Sequence, residues 1–173
     1  MFIKTLGLVV IFFSCFYIGN ILGNRYKKRY KQLLAFLEFI EYFETEITYT
    51  STPVIDIFDS IKKKFKWPIN NIIEEVLIKL SDFGYRPLSE VWQEVLIMNK
   101  DNLALNQEDN ELLIYFGNIL GTTDTENQKK YFKVIKSRLN SQVHEANKHK
   151  DKYTKLFNEL GIIIGLFLVI LII

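Results

Sequence analysis

Apolar and polar positions divide the chain into three regions. Between Phe2 and Leu22 the only charge is Lys4, and between Leu160 and Ile173 there is none. As a helix the first stretch would be about 31 Å long, matching the roughly 30 Å hydrocarbon core of a bilayer. The second, as a helix, reaches only about 21 Å, so it must take in a turn from Tyr153–Glu159 or thin the bilayer locally. Lys152 and Lys155 are placed to snorkel, whereas Glu159 lies awkwardly close to the apolar run. The pattern therefore predicts an N-terminal transmembrane helix in 1–24, a domain in 25–159 and a C-terminal transmembrane helix in 160–173.

The spacing between these ends is helical throughout. Leu33, Leu37, Ile40, Phe43 and Ile47 recur at steps of three and four, uninterrupted by Pro or Gly, so this helix is expected to continue from the first apolar segment. Thr52-Pro53 reads as the next start, a cap hydroxyl followed by proline at the first helical position, with Val54, Ile57, Phe58 and Ile61 inward. Trp67-Pro68 opens a third helix carrying Ile69, Ile72, Ile73, Val76, Leu77 and Leu80, closed by Gly84. Pro87 starts a fourth, with Leu88, Val91, Trp92, Val95 and Leu96 inward, and this spacing makes Trp92 a core residue. Asn106 with Asp109 caps a fifth, bearing Leu112, Leu113, Phe116, Ile119 and Leu120 and stopped by Gly121.

Thr123 with Glu126 has the form of a capping box before the last helix, whose stripe is Tyr131, Ile135, Leu139, Val143 and Ala146. Beyond Ala146 a stretch rich in Lys, His and Asn reads as a solvated stalk. Only Glu46–Tyr49 hints at strand alternation. The expected fold is all-α: a six-helix bundle flanked by an N-terminal and a C-terminal transmembrane helix.

Composition sharpens this division. The 173 residues are 49% hydrophobic, and 28 of the hydrophobic residues fall in the two ends. With 22 basic against 20 acidic residues there is no general nucleic-acid-binding surface. Arg25, Lys27, Lys28, Arg29 and Lys31 follow the first apolar segment, and Lys148, Lys150, Lys152 and Lys155 precede the second. The positive-inside rule then places the middle on the cytoplasmic side. A signal peptide fits poorly, because no Ala-x-Ala-like site follows the apolar run. A lipoprotein signal ending at Cys15 has Phe12 and Phe13 as poor neighbours. Gly19 with Gly23 and Gly161 with Gly165 have the small-xxx-small spacing that lets membrane helices approach, although glycine is common in such helices anyway. Ser14 and Asn20 are candidates to bond across such a contact.

Candidate chemistry is sparse. The single cysteine, Cys15, excludes an internal disulfide and a Cys-based zinc site. His144-Glu145 begins like a zinc-protease motif, but His149 stands at i+5, where the two side chains diverge by about 140°. There is no phosphate-binding glycine loop. Glu44, Glu46, Glu108, Asp109 and Glu111 are scattered acids whose usual explanation is a solvated face. The run Lys62-Lys63-Lys64-Phe65-Lys66 suits either anionic headgroups or the solvated, dipole-favoured end of a helix. No catalytic group, cofactor or metal is expected.

Three segments carry a resemblance. Glu44-Thr-Glu-Ile-Thr-Tyr49 leads into Thr52-Pro53; Phe116-Gly117-Asn-Ile-Leu-Gly121 is followed by Asp124 and Gln128; and Lys155-Leu156 is followed by Leu160-Gly161 and Gly165-Leu166. In this order, between two apolar ends, the chain resembles the stage III sporulation protein AB family of endospore-forming bacteria along its whole length. Val54 and Ile57 depart from the family's expected Leu and smaller residue. The resemblance implies a component of the channel complex between mother cell and forespore, in the mother-cell membrane around the forespore. It also implies a cytoplasmic domain similar to the inner-membrane platform protein of type II secretion and type IV pilus machines. The implied partners are a cytoplasmic secretion-type ATPase, other membrane components of the complex, membrane lipid and further copies of the chain. Its motif residues Glu44, Glu46, Thr52, Pro53, Gly117, Gly121, Asp124 and Gln128 are expected to be structural. A membrane-anchored regulator binding a soluble signalling partner is the alternative.

Overall fold

Helix is the state that satisfies this chain's backbone nearly everywhere. The computed structural model describes residues 2–50, 52–82, 86–120 and 125–172. Among these residues six α-helices follow in order: α1 Phe2–Thr45, α2 Val54–Lys64, α3 Ile69–Asp82, α4 Leu88–Met98, α5 Gln107–Ile119 and α6 Thr125–Ile172. No strand occurs among the described residues; the ambiguous Glu46–Tyr49 lies in one π-helical turn, Glu46–Thr50, that continues from α1. The apolar ends are therefore not separate elements: α1 and α6 each contain one. Both helices are long and apolar enough to cross a membrane.

The caps show which start signals operate. Asn106 accepts from the Asp109 N–H at 2.8 Å while Asp109 accepts from the Asn106 N–H at 2.9 Å, the reciprocal box expected for α5. Asp109 is consequently fully buried, unlike the solvated acid it was expected to be. α2 starts one residue later than anticipated. Pro53 has extended backbone at ψ 142° and occupies the cap position itself, with no side chain capping the helix. The expected Thr123–Glu126 box and the stops at Gly84 and Gly121 involve positions outside the described residues.

The chain divides into two compact units, Lys31–Val143 and Met1–Tyr30 with His144–Ile173. In the first of these, Phe39, Phe43, Phe58, Trp92, Phe116 and Phe132 form a buried aromatic centre, each with no exposed surface. Trp92 stacks on Phe39 at 5.9 Å and meets Phe116 edge-on at 5.5 Å between centroids. Its Nε1–H donates to the Leu113 carbonyl at 2.8 Å, so its single polar group is satisfied inside the core. Ile57 is buried and Val54 half-buried. On α6 Ile135, Leu139 and Ala146 are buried as expected, but the stripe begins at Phe132, three residues before Ile135, and the expected Tyr131 is exposed. The segment between α4 and α5 is anchored too: Leu103 and Leu105 are buried, and the Ala104 N–H donates to Gln32 Oε1 at 2.7 Å. On the α3–α4 pair, Glu94 accepts from Lys79 at 2.7 Å and Arg86 at 2.9 Å. These two cations, Lys79 foremost, hold its carboxyl below the usual range.

In the second unit two helix segments lie side by side. Gly19, Gly23, Gly161 and Gly165 are buried along their seam. The expected domain limits at 24/25 and 159/160 mark where the apolar runs end. The pairing of α1 with α6 extends further, to Tyr30 and His144.

Candidate functional site

A helix pair can approach to backbone contact only where side chains are missing. A Cβ built on Gly19 would stand 2.5 Å from the Phe157 carbonyl oxygen and 3.2 Å from the Gly161 Cα. One on Gly161 would lie 2.9 Å from the Cys15 carbonyl oxygen, and one on Gly23 would lie 3.2 Å from the Thr154 carbonyl oxygen. The Thr154 hydroxyl donates across the seam to the Gly23 carbonyl at 3.2 Å. Ser14 and Asn20, expected to bond across, are engaged within α1 instead. Ser14 donates back to the Val10 carbonyl at 2.8 Å, and Asn20 accepts from Asn24 at 3.2 Å.

Gly161 lies against Gly19 and Tyr153 against Tyr26, so Tyr153–Glu159 runs beside Asn20–Tyr26. A groove of about 240 Å³ remains beside the seam, lined by apolar groups including Cys15, Ile18, Leu22, Phe157 and Ile164. It offers shape and apolar surface, and its one nucleophilic lining group is the free Cys15 thiol.

Past the glycines the seam becomes aromatic and charged. Tyr26 stacks on Tyr153 at 4.9 Å and on Phe157 at 5.9 Å. Lys150 Nζ sits over the Tyr30 ring at 4.5 Å. Arg29 is buried with a guanidinium nitrogen 3.9 Å from Glu145, and His149 Nδ1 is 3.6 Å from the same carboxylate. The stretch read as a solvated stalk is thus one partner of a helix pair. Ala146, last residue of the expected inward stripe of α6, is buried. The sequence signal that was available is the matched aromatic spacing of Tyr26 and Tyr30 on one helix and Tyr153 and Phe157 on the other.

The remaining motif positions lie in the globular unit. Glu44 makes an ion pair with Lys136, joining α1 to α6. Glu46, in the π-turn, receives a hydrogen bond from Tyr42 and thereby raises the pKa of that hydroxyl. Pro53 accepts from the Ile57 N–H at 3.1 Å, and Thr52 stands half-buried just before it. A Cβ on Gly117 would fall 2.1 Å from Trp92 Cδ1. Gln128 is buried at 8% exposure. Gly121 and Asp124 lie outside the described residues. These groups are dispersed over the bundle and do not converge. Among the described residues no three His, Cys, Asp or Glu side chains are grouped to hold a metal.

One exposed surface stands apart. Ile78 and Met98 flank a groove of about 310 Å³ between α3 and the end of α4, rimmed by Glu75, Lys79, Asn99 and Asn102. Asn99 Nδ2 donates to Glu75 at 2.6 Å, which stiffens one wall. Ile78 and Met98 are 51% and 62% exposed, apolar surface that folding alone leaves uncovered.

The sequence signature described as stage III sporulation protein AB matches residues 4–173. The chain belongs to the stage III sporulation protein AB family. A family member from Bacillus subtilis (strain 168), stage III sporulation protein AB, is 27% identical over 169 residues, covering 98% of each chain. A solved structure titled stage III sporulation protein AB matches with a TM-score of 0.65. That match has 24% identity and covers 71% of this chain and 96% of the other. At this identity it speaks for the fold, a helical bundle, and family membership makes the chain a stage III sporulation protein.

Proposed function

We propose that the chain is a non-enzymatic membrane platform subunit of the mother cell–forespore channel complex, and that its globular unit docks a cytoplasmic secretion-type ATPase. The observation that carries this reading is the α3–α4 surface, where Ile78 and Met98 stand exposed around a groove of about 310 Å³. The two long apolar helices and the family support a membrane setting. The dispersed polar groups described above support a scaffold rather than a hydrolase. The four seam glycines serve membrane helix packing in this reading, and the family-motif residues hold the bundle together.

Detergent-solubilised full chain is expected to retain the cognate ATPase in a pull-down. Ile78→Asp with Met98→Asp should reduce retention at least about tenfold, as loss of a buried apolar anchor does at interfaces. Retention unchanged by that pair would remove the docking surface, and no retention by the parent chain would remove the platform role. The cytoplasmic placement of the globular unit has its own test. In intact cells a cysteine introduced at Asp101, exposed after α4, should stay unlabelled by an impermeant thiol reagent until the membrane is broken.

A further inference from the structure

Charge is not shared evenly between the two units. The helix-pair unit holds nine of the 22 basic residues and three of the 20 acidic ones, a net charge of +6. The globular unit holds 13 and 17, a net charge of −4. Eight of the nine cations lie in two short stretches, Arg25–Arg29 and Lys148–Lys155, which the seam brings alongside each other.

Pairing within the unit consumes its acids. Glu145 is taken by Arg29 and His149, Asp151 is 3.3 Å from Lys150, and Glu159 is 3.8 Å from Lys155. Arg25, Lys27, Lys28, Lys148 and Lys152 are exposed, and among the described residues none of these has a carboxylate within ion-pair distance. Lys148 and Lys152 are spaced i, i+4 and so share one ridge of α6, while Arg25 and Lys28 share one face of α1. Tyr26 and Tyr153 stack between the two stretches, amphipathic rings of the kind that settle at headgroup depth. Directly below them begin the glycine seam and the apolar runs.

We propose that this collar of unpaired cations binds the phosphate headgroups of anionic glycerophospholipids at the membrane surface. A polyvalent, exposed cation array at the end of an apolar helix pair meets negative charge at one depth, where each Lys or Arg favours anionic lipid. The collar is distinct from the α3–α4 surface and does not depend on the ATPase reading.

The test uses the full chain in neutral detergent, incubated with equimolar phosphatidylglycerol and phosphatidylcholine, repurified, and assayed for bound lipid by mass spectrometry. At about 0.1 M salt phosphatidylglycerol should be retained about tenfold over phosphatidylcholine, falling toward parity at about 1 M as screening shortens the range of the interaction. Arg25→Gln/Lys27→Gln/Lys28→Gln and, separately, Lys148→Gln/Lys152→Gln should each lower the preference several-fold with helicity unchanged. Lys62→Gln/Lys63→Gln/Lys64→Gln, in the globular unit, should preserve it. Equal retention of the two lipids by the parent chain overturns the proposal, as does a preference that survives both collar variants. Displacement of phosphatidylglycerol by inorganic phosphate, at an ionic strength held equal to that of the about 0.1 M salt control, would assign the cations to free anions and overturn it as well.

Discussion

Gly117→Ala is expected to destabilise the globular unit by about 2–3 kcal/mol, although the substitution adds a methyl group to a helix interior. Helix propensity alone predicts the opposite sign, a gain of up to about 1 kcal/mol for Gly to Ala. Packing decides. The new Cβ would stand 2.1 Å from Trp92 Cδ1 and 2.6 Å from Cγ, near the root of the indole rather than at a movable tip. The ring has no room to retreat, because Phe39 and Phe58 stack on it at 5.9 and 6.3 Å and Phe116 meets its edge. Retreat would also break the 2.8 Å bond to the Leu113 carbonyl. Urea unfolding of the detergent-solubilised chain, followed by near-ultraviolet circular dichroism, reads the effect. Trp92→Ala should cost about 3–5 kcal/mol in the same assay by leaving the aromatic centre hollow. In the double variant the alanine Cβ no longer has an indole to meet, so its cost should largely vanish. A stabilised Gly117→Ala chain would show that the glycine is not there for Trp92.

Gly165→Cys should form an intramolecular disulfide with Cys15 in nearly every molecule on mild oxidation. A Cβ at position 165 would lie 3.4 Å from the Cys15 Cβ, close to the range of about 3.5–4.5 Å that a disulfide spans. Non-reducing electrophoresis, with thiol labelling of the oxidised chain, distinguishes an internal link from a dimer. Gly161→Leu should suppress the link. Its Cβ would be 2.9 Å from the Cys15 carbonyl and 3.4 Å from the Phe16 Cα, so the helices must part. A disulfide-linked dimer as the main product would mean that the glycines serve contacts between copies. Efficient internal linkage despite Gly161→Leu would mean that the seam does not depend on close backbone approach.

The readings that survived rest on periodicity and local chemistry. Leu33, Leu37, Ile40 and Phe43 are buried as their spacing required. The α5 cap formed because Asn106 and Asp109 need only each other and the backbone between them. Readings that failed mostly involve partners distant in sequence. Tyr131 and Phe132 are both aromatic and adjacent, so periodicity at the start of α6 could not choose between them. The choice follows from which position faces Phe43 and Phe116, ring neighbours of Phe132 at 6.2 and 6.1 Å. One failure is local: Asp109 was grouped with the scattered, solvated acids, whereas its carboxylate turns back onto the Asn106 N–H and is buried.

The dispersed motif residues show the same division. Glu44 and Pro53 could be recognised in the sequence, but not that Glu44 answers Lys136 more than ninety positions away. Gly117 was legible as a helix residue near a stop, while its contact with Trp92 depends on how α4 crosses α5.

The sequence by itself determined that the protein is helical, that both ends are apolar and basic-flanked, and which face of most helices turns inward. These properties are carried by residues within a few turns of one another, where backbone hydrogen bonding and hydrophobic spacing act. Tertiary structure alone decided that the seam glycines meet across α1 and α6, and that the stretch beyond Ala146 pairs with α1 rather than standing as a lone stalk. It also decided which cations of the collar remain without a carboxylate. Those outcomes depend on the register between α1 and α6, whose contacting residues are more than a hundred positions apart. Helix register is set by the sum of many contacts, and no local segment encodes it.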